Sequence, residues 1–549
     1  MKKMKKVKFI AAALGIIAFW LIVVFLLQAL LVPKFQTGIV EGSMIAEYYD
    51  DKAPHEVLMV GDCELYENIS TVELWRKYGI SSYIRGSAQQ LVWQSYYLLE
   101  DALRYETPKV AVFNVLSLKY NEPQSEAYNR MTIDGMRWSK SKIGAIDASM
   151  TEDEHFYDYL FPLLRYHARW SELVEDDARH IFRKTPVTHN GYYLRADIKA
   201  QTGVPDPKPL FDYTLGENAM SYLQKMVDLC KEKGIRLVLV KAPIENPHWY
   251  DEWDRQIVEY AEKNGLDYIN FIPLQSEIGL DMSVDTYDAG LHLNVYGAEK
   301  MADYFGAWLK ERYNLTDYRT DEKVSALWQE KTENYEKEKS EQLAELEKFG
   351  VLLSHKPIET EETGIMRNFI ILALAMLLCV GLIACGSAQN NKTGETASTK
   401  TEAPTEEAKT ENGKSEDGGY TFVLNGVKIA LNAEMAPIVE KLGEPTKYYE
   451  SESCAYQGLD KVYTYGGVTI NTYPVGGVDY VLDIVLRDDT VSTAEGLCIG
   501  DPQAKVGEIY GTPTATRDNA VCYIKEGTQL NFFFEDGAIS TITYEQPVT

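Results

Sequence analysis

The sequence predicts an α/β protein whose main domain is a parallel sheet between two layers of helices, followed by a smaller α+β domain. From His55 onward, short apolar segments alternate with amphipathic segments of helical length. Continuous apolar strands separated by helices are typical of a parallel sheet that is covered on both faces. With 549 residues, the chain is also too long for one ordinary domain.

The elements of the main domain follow in order along the chain. Strands are predicted at 55–61, 81–86, 109–115, 235–242 and 267–271, because each is a short apolar run. Helices are predicted at 70–78, 88–104, 219–233, 251–263 and 296–312, with Gly234 ending the third of them. The stretch from about 120 to 207 interrupts this alternation and is predicted to be a largely helical insertion. A charged segment at 316–350 is rich in helix formers and is interpreted as a solvated helix.

The N-terminus predicts a membrane segment. A basic tail at 1–8 with five lysines precedes an apolar run at 9–32. Twenty-four helical residues extend about 36 Å, enough to cross a bilayer. The lysines predict that the tail stays in the cytoplasm and that the following domain lies outside. No small-residue cleavage site follows, which favours an uncleaved anchor over a cleaved signal peptide.

Composition excludes several classes of function. The net charge is −27, and a nucleic-acid partner requires a positive surface. Seven cysteines are scattered without CxxC spacing, and the chain has only eight histidines. We therefore expect neither a metal site nor a bound cofactor.

A second apolar segment at 366–385 changes the interpretation of the C-terminal part. It begins near Met366-Arg367 and ends in Leu-Ile-Ala-Cys385-Gly-Ser, which resembles a bacterial lipobox with Cys385 as the lipidated residue. The polar residues 386–419 that follow are typical of a disordered linker. Two alternatives remain: a true fusion, or two joined reading frames. An N-in anchor followed by a second span would return the C-terminal domain to the cytoplasm, whereas a lipobox requires it outside.

The C-terminal domain at 420–546 contains a weak internal repeat. Residues 433–445 match 502–513, each a short helix followed by Gly-x-Pro, and strands follow both copies. The pattern resembles the tandem-repeat fold of β-lactamase inhibitor protein. Cys454 and Cys522 lie at equivalent positions of the repeat, but Cys498 competes for the same disulfide, so the pairing stays open.

Chemistry is indicated by two distant loops of the main domain. Asp288 and His292 lie on one loop just before a helix, as a base and the group that orients it. Cys63 follows the first strand and precedes a helical segment, where a thiol is a candidate nucleophile. Taken singly, Cys63 is as well explained as a buried small residue, and His292 as a capping or exposed histidine.

Residues 55–315 resemble the SGNH/GDSL hydrolases, including membrane-anchored members of Gram-positive bacteria. The resemblance lies in Gly61-Asp62-Cys63, Gly86, Asn114, and Asp288 with His292-Leu-Asn. It implies a flavodoxin-like three-layer sheet, a Cys63–His292–Asp288 site, and an oxyanion hole from the Cys63 and Gly86 N–H groups and the Asn114 amide. The chain departs from the family pattern in three ways: cysteine replaces serine, Gly-x-Asn-Asp is absent, and one extra residue separates Asp288 from His292.

These observations predict an extracytoplasmic acyl-ester hydrolase or O-acyltransferase of a bacterial, Gram-positive-type cell membrane. The expected acceptor is a cell-surface polysaccharide or teichoic acid, and the resemblance implies a membrane-bound O-acyltransferase as partner. The alternative is a non-catalytic envelope protein that binds a glycan or a protein in the same cleft. Six further residues are candidates for lining that cleft or for ordinary packing: Glu64, Tyr66, Asn68, Gln89, Gln90 and Trp93.

Overall fold

The first domain is built on a five-stranded parallel sheet. The computed structural model describes residues 2–33, 43–171, 173, 175–182, 186–353, 419–452 and 458–547. The strands are β1 (Val57–Gly61), β2 (Ser82–Gly86), β3 (Val110–Asn114), β4 (Arg236–Lys241) and β5 (Asp267–Asn270). They lie in the order β2-β1-β3-β4-β5, and all neighbours are parallel. This is the flavodoxin-like order, so the predicted fold class is confirmed.

Helices cover both faces of this sheet. They are α2 (Ser43–Glu47), α3 (Cys63–Tyr66), α4 (Thr71–Tyr78), α5 (Val92–Ala102), α11 (Glu217–Lys233), α12 (Asp251–Asn264), α13 (Gln275–Ile278) and α14 (Val295–Arg312). Gly234 ends α11 at φ 70°, as predicted, because glycine adopts this left-handed conformation without steric cost. Successive side chains of β1 point to opposite faces of the sheet. Val57 and Met59 lie in the core on one face, and Leu58 and Val60 lie in the core on the other.

Helix α5 is shorter than the predicted 88–104. Gln89 has a φ of 49°, which an α-helix excludes, and the helix begins only after Leu91. The Gln94 side chain accepts a hydrogen bond from the Leu91 N–H at 2.8 Å and so fixes this start. The residues from 87 to 91 therefore form a loop at the carboxyl end of β2.

The described residues of the insertion include five short α-helices. They are α6 (Glu126–Ile133), α7 (Lys140–Ser149), α8 (Phe156–Leu160), α9 (Leu163–Tyr166) and α10 (Glu175–Phe182). Residues 186–216, all described, continue without a helix to the start of α11.

The N-terminal helix α1 (Lys2–Leu31) contains the apolar run. Among the helices that the structure describes, α1 is long and apolar enough in Leu14–Leu31 to cross a membrane. A helix of this kind close to the N-terminus fits an anchor or a signal sequence. The second apolar segment with Cys385, residues 386–418 of the linker, and Cys454 lie outside the described residues.

The second domain is an eight-stranded antiparallel sheet with two helices. A hairpin of β6 (Phe422–Leu424) and β7 (Val427–Ile429) precedes α16 (Met435–Leu442). The first half of the sheet is β8 (Lys447–Glu452), β9 (Leu459–Tyr465), β10 (Val468–Val475) and β11 (Val478–Leu486). After α17 (Gln503–Tyr510), the second half is β12 (Ala515–Arg517), β13 (Ala520–Lys525), β14 (Thr528–Glu535) and β15 (Ala538–Glu545). The halves meet where β11 pairs with β15, so each half is one helix followed by four strands.

Ion pairs connect the two domains. Lys208 of the first domain lies 2.9 Å from Asp483 Oδ2 and 2.8 Å from Glu545 Oε2 on the sheet of the second. Arg517 pairs with Asp212 at 2.5 Å. The extended segment before α11 is therefore the part of the first domain that carries these contacts.

Helix α15 (Glu322–Phe349) differs from the solvated helix predicted for the charged segment. Its residues Val324, Trp328, Tyr335 and Gln342 are buried. Trp328 stacks on Trp75 with ring centroids 5.0 Å apart, and its Nε1 donates to Ser81 Oγ at 2.9 Å. The prediction is wrong for this face because a few apolar residues at helical spacing anchor a helix whose other faces are charged.

We expect Trp328→Ala to lower the free energy of unfolding of the first domain by about 3–5 kcal/mol, because it removes a fully buried ring and leaves a cavity. Gln329→Ala, one position along on the exposed face, is the matched control and should change it by less than about 0.5 kcal/mol. Chemical denaturation of the full chain measures both. Equal effects would contradict the docked position of α15.

Candidate active site

The Asp288 carboxylate holds His292 at two points. Its Oδ2 lies 2.6 Å from His292 Nδ1, and its Oδ1 accepts a hydrogen bond from the His292 backbone N–H at 2.8 Å. Oδ1 also accepts from the Leu291 N–H at 3.1 Å and from Thr286 Oγ1 at 3.3 Å. Because the carboxylate accepts, Nδ1 carries the proton, and Nε2 is the basic nitrogen of the neutral ring.

The extra residue between Asp288 and His292 is absorbed by a left-handed turn. Ala289 has a φ of 67° and Gly290 a φ of 100°. The Gly290 N–H donates to Thr286 Oγ1 at 2.8 Å, and a Cβ at this glycine would lie 2.6 Å from the Gln201 side chain. The positive φ favours glycine here, whereas the Gln201 side chain is flexible enough to move away from an added Cβ. The departure from the family spacing does not prevent contact between the carboxylate and the imidazole.

Cys63 is the first residue of α3, directly after β1. The Asp62 side chain caps this helix by accepting from the Glu64 N–H at 3.2 Å. The cysteine carries a thiol rather than a disulfide and is 8% exposed. It lies at the carboxyl edge of the sheet, where open α/β sheets place ligands.

Two neighbours of Cys63 connect its helix to the histidine loop. Asn68 Oδ1 accepts a hydrogen bond from the Leu293 N–H at 2.6 Å. Glu67, whose N–H donates to the Cys63 carbonyl at 3.1 Å, places its Oε2 3.8 Å from His292 Nδ1. The elements that carry the predicted nucleophile and the predicted base are thus packed together.

Gly86 ends β2 and pairs with Gly61 across the sheet. A Cβ at Gly86 would lie 2.9 Å from the Tyr66 ring and 3.0 Å from the Gly61 carbonyl oxygen. Glycine is therefore required here for close packing of Tyr66, independently of any role of its N–H. The oxyanion role of Gly86 stays a prediction.

Asn114 ends β3, but its amide is already used by carboxylates. Its Nδ2 donates to Asp62 Oδ1 at 2.8 Å and to Glu64 Oε2 at 3.2 Å. These two bonds use both hydrogens of the amide. An oxyanion role for Asn114, predicted from the family resemblance, therefore requires that one of them be released.

A site role for Lys241, the last residue of β4, was not predicted from the sequence. Its ammonium group is fully buried and lies 2.8 Å and 3.0 Å from the two carboxylate oxygens of Glu64. It also donates to the carbonyls of Ala242 and Ile244. One feature of the sequence indicates such a role, namely a lysine at the end of an apolar strand. A lysine that is buried there needs a partner of opposite charge.

Glu67 was missed as well. It accepts a hydrogen bond from the Tyr287 hydroxyl, and the Tyr287 ring lies along His292 with centroids 6.1 Å apart. Arg195 covers the Tyr287 ring at 4.2 Å. Burial raises the pKa of the Glu67 carboxyl, and the nearby His292 opposes this change. No motif in the sequence marks Glu67 or Tyr287.

Burial raises the pKa of Asp62 to about 7, and the nearby Glu64 charge acts in the same direction. The carboxyl group that caps the Cys63 helix therefore binds a proton more readily than an exposed aspartate. Asp62, Glu64, Asn114 and Lys241 form one buried polar network at the start of the helix that begins with Cys63.

The remaining residues that the sequence suggested for the cleft are buried. Trp93 is in the core on one face of the sheet, and Tyr66 on the other. The Gln90 amide donates to the Arg85 carbonyl and to Ser95 Oγ. Packing and internal hydrogen bonds therefore explain Trp93, Tyr66 and Gln90. Gln89 adopts a positive φ in the loop before α5.

No protein-family model matches the chain, and neither does any curated protein. Among solved structures, the chain is similar to a GDSL-like lipase from Bacteroides thetaiotaomicron at 10% identity and a TM-score of 0.23. The similarity covers 49% of this chain and 95% of the lipase. At this TM-score it carries no argument, and the fold rests on the strand order given above.

We expect Lys241→Met to lower the free energy of unfolding by about 3–5 kcal/mol, because Glu64 would remain as an uncompensated buried charge. Adding Glu64→Gln should recover part of this loss. Lys233→Met, which breaks the exposed pair with Glu232, is the matched control and should cost less than about 1 kcal/mol. Denaturation of the three variants tests this, and an equal loss in both single variants would contradict it.

The contribution of Asp62 to the stability of the first domain should fall as the pH rises from about 4 to about 7. A carboxyl whose folded pKa is raised binds more protons folded than unfolded in this range, so unfolding becomes easier with rising pH. Asp62→Asn removes this contribution while keeping an acceptor for the helix cap. We expect that raising the pH from 5 to 8 changes Tm about 2–4 °C less unfavourably in the variant than in the wild type. An unchanged difference would contradict the raised pKa.

Proposed function

We propose that residues 55–315 form an acyl-ester hydrolase or O-acyltransferase domain of the SGNH type. The proposal rests mainly on the contact between Asp288 and His292, in which Asp288 Oδ2 lies 2.6 Å from His292 Nδ1. A carboxylate in this position fixes the tautomer and stabilises the imidazolium that forms when Nε2 accepts a proton.

The proposed reaction begins with transfer of the Cys63 thiol proton to His292 Nε2. The thiolate attacks the acyl carbon of an ester, and a thioester forms through a tetrahedral oxyanion. The imidazolium returns the proton to the departing alkoxide, so an alcohol leaves. Water, or a hydroxyl of a second acceptor, then attacks the thioester with His292 as base and regenerates the thiol.

The proposed substrate is an acylated polymer of the cell surface, either a polysaccharide or a teichoic acid. Two observations support this proposal. The apolar part of helix α1 is preceded by five lysines, a pattern that favours a following domain outside the membrane, and the acidic charge of the chain disfavours nucleic acid. A membrane-bound O-acyltransferase is the proposed partner. An acetyl or D-alanyl group is the proposed cargo.

A second candidate function is favoured by Asn114. Because both hydrogens of its amide go to Asp62 and Glu64, the third oxyanion donor is occupied. A protein that binds a glycan or a protein partner in the same cleft without turnover needs no such donor. The two candidates differ in whether an ester is cleaved.

Hydrolysis of an aryl acetate by the full chain in detergent decides between them. Cys63→Ala and His292→Ala should reduce turnover to background, and Asp288→Asn should reduce kcat by about 10³–10⁴-fold. Cys498→Ala, which changes a thiol of the second domain, is the control and should keep full activity. Equal turnover in wild type, Cys63→Ala and His292→Ala would reject the enzyme and leave the binding function.

A further inference from the structure

The insertion exposes eight large apolar side chains on and between its short helices. We call this set the aromatic platform. Its members are between 39% and 53% exposed: Trp138, Ile143, Phe156, Tyr157, Leu160, Phe161, Leu164 and Trp170. Five of them fall within the nine residues 156–164. Single exposed apolar residues are normal, but a dense group on one segment marks an interaction surface.

The parts of the insertion that carry the platform pack against one another. Helix α7 packs against α8, and α8 packs against α9. The rings of Trp138 and Phe156 lie edge to face with centroids 6.4 Å apart. Lys142, at the N-terminal end of α7, lies 4.8 Å from the Trp138 ring.

The platform also adjoins the end of the candidate membrane helix. Leu31, the last residue of α1, packs with Tyr166 of α9 and with Leu173. Arg169 donates from its Nη1 to the Leu31 carbonyl oxygen at 3.1 Å and so satisfies a carbonyl at the end of α1. Helices α9 and α10 both contact α1.

We propose that the aromatic platform lies in the headgroup region of the outer leaflet and holds the α/β domain against the bilayer. Tryptophan and tyrosine favour this region, and short helices with one apolar face bind in its plane. Contact with α1 fixes the height of the platform, because a helix that spans the bilayer leaves it near the end of its apolar run, and α1 ends at Leu31. The proposal rests on α1 being an anchor and is independent of the proposed enzyme activity.

Lipid crosslinking on the full chain tests this placement. The chain is reconstituted into nanodiscs that contain alkyne-tagged phosphatidylglycerol, after resistance to carbonate extraction has shown that it is membrane-integral. Benzoylphenylalanine replaces Tyr157 or Phe161 in the platform. In the matched control it replaces Val258, an isolated exposed apolar residue of α12.

We expect at least about tenfold more lipid adduct at the two platform positions than at Val258. Equal labelling at all three positions, or chain-to-chain adducts in place of lipid adducts, would overturn the proposal, as would loss of the chain on carbonate extraction. Nanodiscs that hold only this chain exclude a different membrane protein as the occupant. Because the readout is lipid labelling, an inactive esterase leaves its interpretation unchanged.

Discussion

The fold of the candidate site depends on the burial of the Asp288 carboxylate. A buried carboxylate is costly unless it accepts hydrogen bonds, and Asp288 has four donors around it. Two of them, the Thr286 hydroxyl and the Leu291 N–H, come from the loop before His292, and the other two are the N–H and Nδ1 of His292 itself. The loop conformation, including the left-handed turn at Ala289 and Gly290, is therefore the one that satisfies the carboxylate. The position of the imidazole follows from the same requirement.

Sequence patterns predict the sheet well because β1 and β3 are almost continuous apolar runs and β4 is apolar between its end residues, as is typical of a parallel sheet covered on both faces. They also identify Asp288 and His292, which lie close together in the chain. Lys241 and Glu67 escape this reasoning because their partners are 177 and 225 residues away along the chain. A side chain whose role is defined only by a distant partner leaves no periodicity and no local motif. The packed face of α15 was not predicted for a different reason. Its four buried residues are spaced along one face of a helix in which most of the other residues are charged, so the segment as a whole has the composition of a solvated helix.

The polar network at the start of the helix that begins with Cys63 bears on the chemistry of the Cys63 thiol. Asp62 caps the cysteine helix, and Asn114 joins this cap to the Glu64–Lys241 pair. The Asn114 Oδ1 is buried and accepts no hydrogen bond from the described residues. Protonation of Asp62 would weaken its hold on the Asn114 amide, because a neutral carboxyl is a poorer acceptor than a carboxylate. The availability of the Asn114 amide, the proposed third oxyanion donor, is in this way connected to the proton on Asp62.

Hydrogen bonds also connect the insertion, which carries the platform, to the edge of the sheet that carries the site. Ser87, next to Gly86, shares a hydrogen bond of 2.5 Å with Thr132 of α6. Gln94 of α5 donates to Asn129 of α6 at 2.8 Å and to Ser149 at the end of α7 at 3.2 Å. These contacts are buried, so breaking them would leave polar groups without partners and is costly. An insertion attached this way cannot tilt freely, and a bilayer that fixes the platform also fixes the direction in which the carboxyl edge of the sheet faces. A substrate anchored in the same membrane would then meet Cys63 from a defined side.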